Sequence, residues 1–166
     1  MAKKKKSVET MAVEGEWNVG AYKYKAPRLI PDYVLGLKER KLIGSLCRSC
    51  GKVIVPPRNI CGRCHVKMDA RMVVSNIGTI TALVVSEPVT KGKYQVFGMD
   101  PVETGMLKDG ERLMPVFVRF DGSDSNVHTL LINADPKKAH TGMRVKAVFA
   151  KKTAGALSDL EGVEPL

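Results

Sequence analysis

Four cysteines carry the chemistry this sequence supports most directly. Cys47 and Cys50 form one CxxC pair and Cys61 and Cys64 a second, with ten residues between the pairs and no other cysteine in the 166-residue chain. A CxxC turn sets two sulfurs at a separation that spans one edge of a tetrahedron around a metal ion. Two such knuckles supply four thiolates. These complete the coordination sphere of zinc and leave no position for water or substrate, so one structural rather than catalytic ion per chain is expected. Clustering of every cysteine within 47–64 also speaks for metal rather than disulfides in a cytosolic chain.

Gly51, after the first knuckle, suits a turn that needs an unhindered backbone. The second knuckle is less regular, with Gly62 inside it and His65 directly after. Three other readings compete: His65 replacing a cysteine as ligand, a redox dithiol, and iron in a rubredoxin-type site. A thioredoxin-like dithiol would be single and would open a helix in a βαβ unit. Iron uses the same four ligands, so spacing leaves it open; it would make the chain an electron carrier, and a coloured protein. Energetics favour a structural role. A module of about 30 residues buries too little surface to fold alone, whereas structural zinc supplies an apparent ~10–16 kcal/mol to such pieces.

No second chemical constellation accompanies the knuckles. With four cysteines committed, no thiol nucleophile remains. His128 falls inside a predicted strand and His140 in a polar loop before Thr141 and Gly142. Neither G-x-S-x-G, a phosphate loop nor H-E-x-x-H occurs. An autonomous enzyme is therefore not expected.

The elements that must hold the knuckles follow from apolar patterning. Residues 1–16 are polar and charged and read as mobile. Trp17, Tyr22, Tyr24, Leu29 and Ile30 make 17–31 too aromatic for a plain linker; it either lies along a partner or covers the chain's own core edge. Residues 32–42 read as a short helix with Asp32 as N-cap, Val34, Leu35 and Leu37 on its apolar side and Lys38, Arg40 and Lys41 near its C-terminus. The run Val53, Ile54, Val55 before Pro56 and Pro57 reads as a strand that stops abruptly. Short strands follow at 79–86, 94–99, 113–120, 127–132 and 143–149, the third and fourth joined by the Asp121-Gly122 turn. Phe97, Phe117 and Phe149 are expected in the core. Five short strands point to a small closed barrel, since closure removes exposed edges. The fold class is mainly β: an N-terminal arm (1–30), a short helix and rubredoxin-like zinc ribbon (31–75), a five-stranded OB barrel (76–150) and a tail (151–166).

Charge and hydropathy set bounds on location and partners. The formal charge is +10, of which four units are Lys3, Lys4, Lys5 and Lys6. Four thiolates around zinc remove two more, leaving about +4 for the ordered part, a surplus that suits a phosphate-bearing partner without demanding nucleic acid. The absence of a run of ~18 apolar residues argues against a membrane span. The charged start, Met1 to Lys6 with no apolar stretch behind it, argues against a secretory signal. The expected location is the cytoplasm.

Taken in order, the helix ending in Lys38–Leu42, Cys47-Arg48-Ser49-Cys50-Gly51-Lys52, Pro56-Pro57-Arg58, Cys61-x-x-Cys64, Gly78-Thr79-Ile80 and Gly142-Met143-Arg144-Val145 resemble the acyl-CoA-associated OB-fold proteins with an N-terminal rubredoxin-like zinc ribbon. The resemblance covers roughly residues 30–150. His65 departs from the glycine-bearing turn usual there, and 101–115 is longer than the usual loop. What the resemblance implies is an accessory subunit that binds a thiolase-fold enzyme in a hetero-oligomer and shares a coenzyme A thioester with it. The nucleophile, acid and base would lie on the partner. Lys91, Lys93, Lys137, Lys138, Arg144 and Lys146 are the cations that could meet coenzyme A phosphates; the plainer reading is solvated charge at strand ends. The alternative from another class is a nucleic-acid-binding zinc-ribbon and OB protein, which would need stacking aromatics among basic residues; aromatics are only 5% of this chain.

Overall fold

The computed structural model describes residues 29–166 except 94, 96–99 and 106. The readings of the N-terminal arm up to residue 28, and most of the strand expected at 94–99, lie outside those residues. The element order is α1 (Ile30–Lys38), β1 (Leu42–Leu46), β2 (Val53–Ile54), β3 (Ala70–Val74), β4 (Ile77–Leu83), β5 (Pro115–Phe120), β6 (Val127–Leu130), β7 (Arg144–Phe149), a 3-10 turn (Leu157–Asp159) and β8 (Leu160–Pro165).

Helix α1 starts two residues before the expected cap. Leu29 occupies the N-cap without a side-chain bond, and Pro31 sits at the helix start, where a missing N–H costs nothing. Asp32 instead lies in the first turn, where its charge suits the dipole, and pairs with Arg71 of β3. The helix ends before Arg40, which takes φ 58° and turns the chain into β1. Gly36 lets α1 approach β1, because a Cβ there would lie 2.7 Å from the Ile43 side chain.

β1 is central in a three-stranded antiparallel sheet of order β2-β1-β3, which is the ribbon. Neither β1 nor β3 was expected as a strand. Gly44 and Ser45 interrupt the apolar run of β1, and both are required by packing. A Cβ on Gly44 would meet Val55 Cγ2 at 2.8 Å. The fully buried Ser45 hydroxyl accepts the Arg58 N–H at 3.0 Å.

The second sheet has order β6-β5-β4-β7-β8 and is antiparallel throughout. A parallel bridge between Leu131 and Val163 joins its two edges, and the Ile132 N–H donates to the Val163 carbonyl at 2.8 Å. This closes a five-stranded barrel of OB connectivity. The fifth strand is β8, in the stretch expected to be a tail. Its sequence, LEGVEP, gives a weak strand signal, and pairing along β7 together with the edge closure fixes it. Gly162 is needed at that crossing, since a Cβ would stand 2.6 Å from the Leu130 carbonyl oxygen.

One core runs through both sheets. Tyr33 and Leu37 of α1, Val53 and Val55 of the ribbon, and Ile80, Val116, Val118, Phe120, Val127, Val145 and Val163 of the barrel belong to a single buried cluster. Polar links reinforce it. The Val53 N–H donates to the Asp124 carboxylate at 2.9 Å, and the Val55 N–H donates to Ser125 Oγ at 2.7 Å. Phe149 packs against this core at partial burial, as expected. Phe117 does not: it is 46% exposed on the outer barrel face, 5.3 Å between centroids from His128. Strand parity is the reason, because Val116, Val118 and Phe120 point inward and Phe117 shares the outward side with Arg119.

The buried Asp159 fastens the loop between β7 and β8. Its carboxylate accepts N–H groups from Ala154, Gly155 and Ala156 at 2.9, 2.8 and 3.2 Å. These donors, Ala154 foremost, hold its carboxyl below the usual aspartate value against the opposing effect of burial. The folded value lies under the unfolded one, so the contribution is complete above about pH 4 and fades as pH falls through the folded value. Asp159→Asn should lower the denaturation midpoint at neutral pH and flatten its fall below about pH 4, as read by denaturant titration at stepped pH.

Candidate metal centre

The knuckles lie at two turns of the ribbon that share one geometry. In the first, the Gly51 N–H donates to the Cys47 carbonyl at 2.8 Å and the Cys47 N–H to the Lys52 carbonyl at 2.8 Å. In the second, the His65 N–H donates to the Cys61 carbonyl at 2.9 Å and the Cys61 N–H to the Val66 carbonyl at 2.9 Å. Gly51 and His65 take the same left-handed backbone, φ 73° and 56°. The irregularity of the second knuckle is thus one of residue type and not of shape.

The four sulfurs lie within 4.8 Å of one another, and Cys50 Sγ and Cys61 Sγ are 3.8 Å apart. A tetrahedral ion with bonds of ~2.3 Å has sulfur–sulfur edges of about 3.8 Å, so the cluster fits one metal ion bound by all four cysteines. Cys47 and Cys61 are buried, and Met68 and Ile54 pack beneath the site. The N–H groups of Cys64 and Arg63 pull the Cys61 thiol from 9.0 to about 7, which favours the thiolate a metal requires. His65 is exposed and stands outside the cluster. A non-glycine residue at positive φ is strained. His65→Gly should therefore retain one metal ion per chain without loss of thermal midpoint, by elemental analysis and melting; loss of metal would make His65 a ligand.

The expected phosphate-binding cations are scattered. Arg144 donates two bonds to Asp121, at 2.8 and 2.5 Å, and a third to Thr79 Oγ1 at 2.9 Å. This pairing lowers the Asp121 carboxyl and raises the Arg144 guanidinium. Lys146 pairs with Glu164 at 3.1 Å and Lys91 with Glu103 at 3.3 Å. Lys93 is in the same turn as Lys91. Lys137 and Lys138 are exposed in the loop between β6 and β7.

That loop forms one wall of an open cleft of about 680 Å³, lined by Leu107, Leu113, Met114, Leu131 and Ile132 among others. A neighbouring hollow of about 350 Å³ is lined by Val85, Arg112, Asp135, Pro136 and Lys137. Arg112 and Pro136 line both. Arg112 is a cation the sequence reading missed; its neighbours in the chain give no signal, and only the meeting of two loops places it there.

Comparison with known proteins accords with this geometry. Residues 36–69 match the rubredoxin-like zinc ribbon domain of the ChsH2 type. A DUF35 domain-containing scaffold protein of Methanocaldococcus jannaschii is 27% identical over 118 residues, covering 69% of this chain and 72% of the relative. The chain carries a zinc ribbon similar to that of ChsH2 and is similar to a DUF35 scaffold protein over about two thirds of its length. Two solved structures share its fold. A DUF35-family protein of unknown function from Sulfolobus solfataricus superposes with TM-score 0.58 at 18% identity, covering 81% of this chain and 83% of that one. The Ltp2-ChsH2(DUF35) aldolase gives TM-score 0.59 at 16% identity, covering 86% and 98%. Among the described residues, no helix is long and apolar enough to cross a membrane.

Proposed function

We propose that this chain is a non-catalytic accessory subunit, held together by structural zinc, that docks on a thiolase-fold enzyme in the cytoplasm and helps to form that enzyme's acyl-CoA site. The carrying observation is that all four cysteines of the chain converge on one metal centre, which leaves no thiol for thioester chemistry. An acyltransfer through cysteine would then use a nucleophile supplied by the partner. The cleft beside Arg112 and Lys137 offers apolar walls and cations, the chemistry suited to an acyl-pantetheine arm and its phosphates. The scaffold name of the archaeal relative and the enzyme complex named for the structural neighbour support the same reading.

The finer assignment is the small zinc-binding subunit of the two-component benzoylsuccinyl-CoA thiolase of anaerobic toluene degradation. It draws on the N-terminal segment that precedes the helix; no residue in the sequence speaks for an aromatic acyl group. Co-expression with candidate thiolase-fold enzymes, followed by pull-down and metal analysis, tests the proposal. A stable complex containing one zinc per chain is the expected result. A chain that remains alone beside every such enzyme, or that turns over a thioester by itself, overturns it.

One observation favours a second reading, single-strand nucleic-acid binding. Phe117 and His128 form an exposed aromatic pair on the outer barrel face, with Arg119 on the same side of β5. Filter binding at low and moderate salt decides, because this reading requires salt-sensitive retention of an oligonucleotide.

A further inference from the structure

The second knuckle presents a surface that the metal centre itself does not need. Between Cys47 and Met68 the chain carries Arg48, Lys52, Arg58, Arg63 and Lys67 and no acidic residue. Elsewhere among the described residues Lys41, Arg71, Lys91, Arg112, Arg144 and Lys146 stand in ion pairs with carboxylates. Among the described residues Arg48 has a single ion pair, with Asp69 at 3.8 Å. Arg58, Arg63 and Lys67 are exposed and form no ion pair among the described residues.

Two β-branched side chains lie among them. Ile60 is 58% exposed and Val66 40%. Ile60 and Lys67 are bridged across the hairpin, the Met68 N–H donates to the Asn59 carbonyl at 2.8 Å, and Cys61 pairs with Val66 below. The hairpin is thus fixed from within by backbone bonds and by the metal ligands. Such a surface loses little conformational entropy on binding.

We infer that this tip is a docking surface for an acidic protein face: an apolar pocket that takes Ile60 and Val66, rimmed by carboxylates that meet Arg58, Arg63 and Lys67. The inference rests on the accessory-subunit reading and names the thiolase-fold enzyme as the protein that bears this face. Charge complementarity selects the partner. Exposed aliphatics on the same hairpin as these cations argue for protein over nucleic acid, because isoleucine and valine offer no ring on which a base can stack.

The test uses the full zinc-loaded chain and the thiolase-fold enzyme recovered by co-expression. One variant combines Ile60→Ser with Arg63→Glu and Lys67→Glu; a milder one carries Arg63→Gln and Lys67→Gln. Lys152→Glu, on the exposed loop after β7, serves as a charge control. The triple variant should bind at least tenfold more weakly than the unaltered chain, and the milder variant several-fold more weakly. Zinc content and melting should be unchanged, and the affinity of the unaltered chain should fall with added salt. Tip variants that bind like the unaltered chain overturn this inference and leave the accessory role standing. An unaltered chain that binds no thiolase-fold enzyme overturns both. Salt-sensitive capture of a single-stranded oligonucleotide that the tip variants lose would reassign the surface to nucleic acid and overturn the protein-docking inference.

Discussion

Cys47→Ser should abolish stoichiometric metal binding and unfold the ribbon. Cys47 is fully buried and packs with Cys61 and Met68 beneath the site. Serine keeps the size of the side chain but removes a soft thiolate ligand. Metal binding to structural sites of this kind is worth an apparent ~10–16 kcal/mol in isolated zinc-finger peptides, more than a small sheet recovers from its own burial. Elemental analysis should show well under one ion per chain. Amide exchange should accelerate first through β1, β2 and β3. The barrel should also lose stability, because Val53 and Val55 of the ribbon share its core. A metal-free chain with unchanged exchange protection and melting would refute the structural role of the site.

The second large effect is expected at Phe120. This side chain is fully buried at the end of β5, within the cluster that joins helix, ribbon and barrel. Phe120→Ala removes most of a ring's buried surface and leaves a cavity that closed strands cannot fill, at a cost of about 3–5 kcal/mol. For a chain of this length the melting midpoint should drop by on the order of 10 °C. Phe117→Ala, three residues away on the outer face, should change the midpoint by far less. Comparable losses from the two substitutions would contradict the inward–outward assignment of β5.

What could be read before the structure depended on how local each signal was. The metal centre was legible because CxxC spacing is a property of one turn. The hairpin of β5 and β6 was legible because Asp121-Gly122 and the flanking apolar residues belong to adjacent segments. β8 was not legible, because its strand character comes from β7 beside it and from the closing contact with Leu131, neither of which is local. β1 was hidden by Gly44 and Ser45, whose small size answers to Val55 and whose hydroxyl answers to Arg58, residues on other segments. The place of Phe117 could have been found by parity: it shares a side with Arg119, and a strand that buries one would bury the other. Of the two cations lining the hollow, Lys137 was named from the sequence, whereas Arg112 was not legible, because two separate loops bring it to the same hollow.

The common core has one more implication. With Tyr33, Leu37, Val55 and Phe120 locked together, and with Asp124 and Ser125 tied to the ribbon's backbone, this protein behaves like a carpenter's square rather than two beads on a string. The metal corner and the barrel mouth keep a fixed spacing and orientation. A protein that touched both would have to shape itself to that template, and a graft of either half onto another scaffold would lose the alignment.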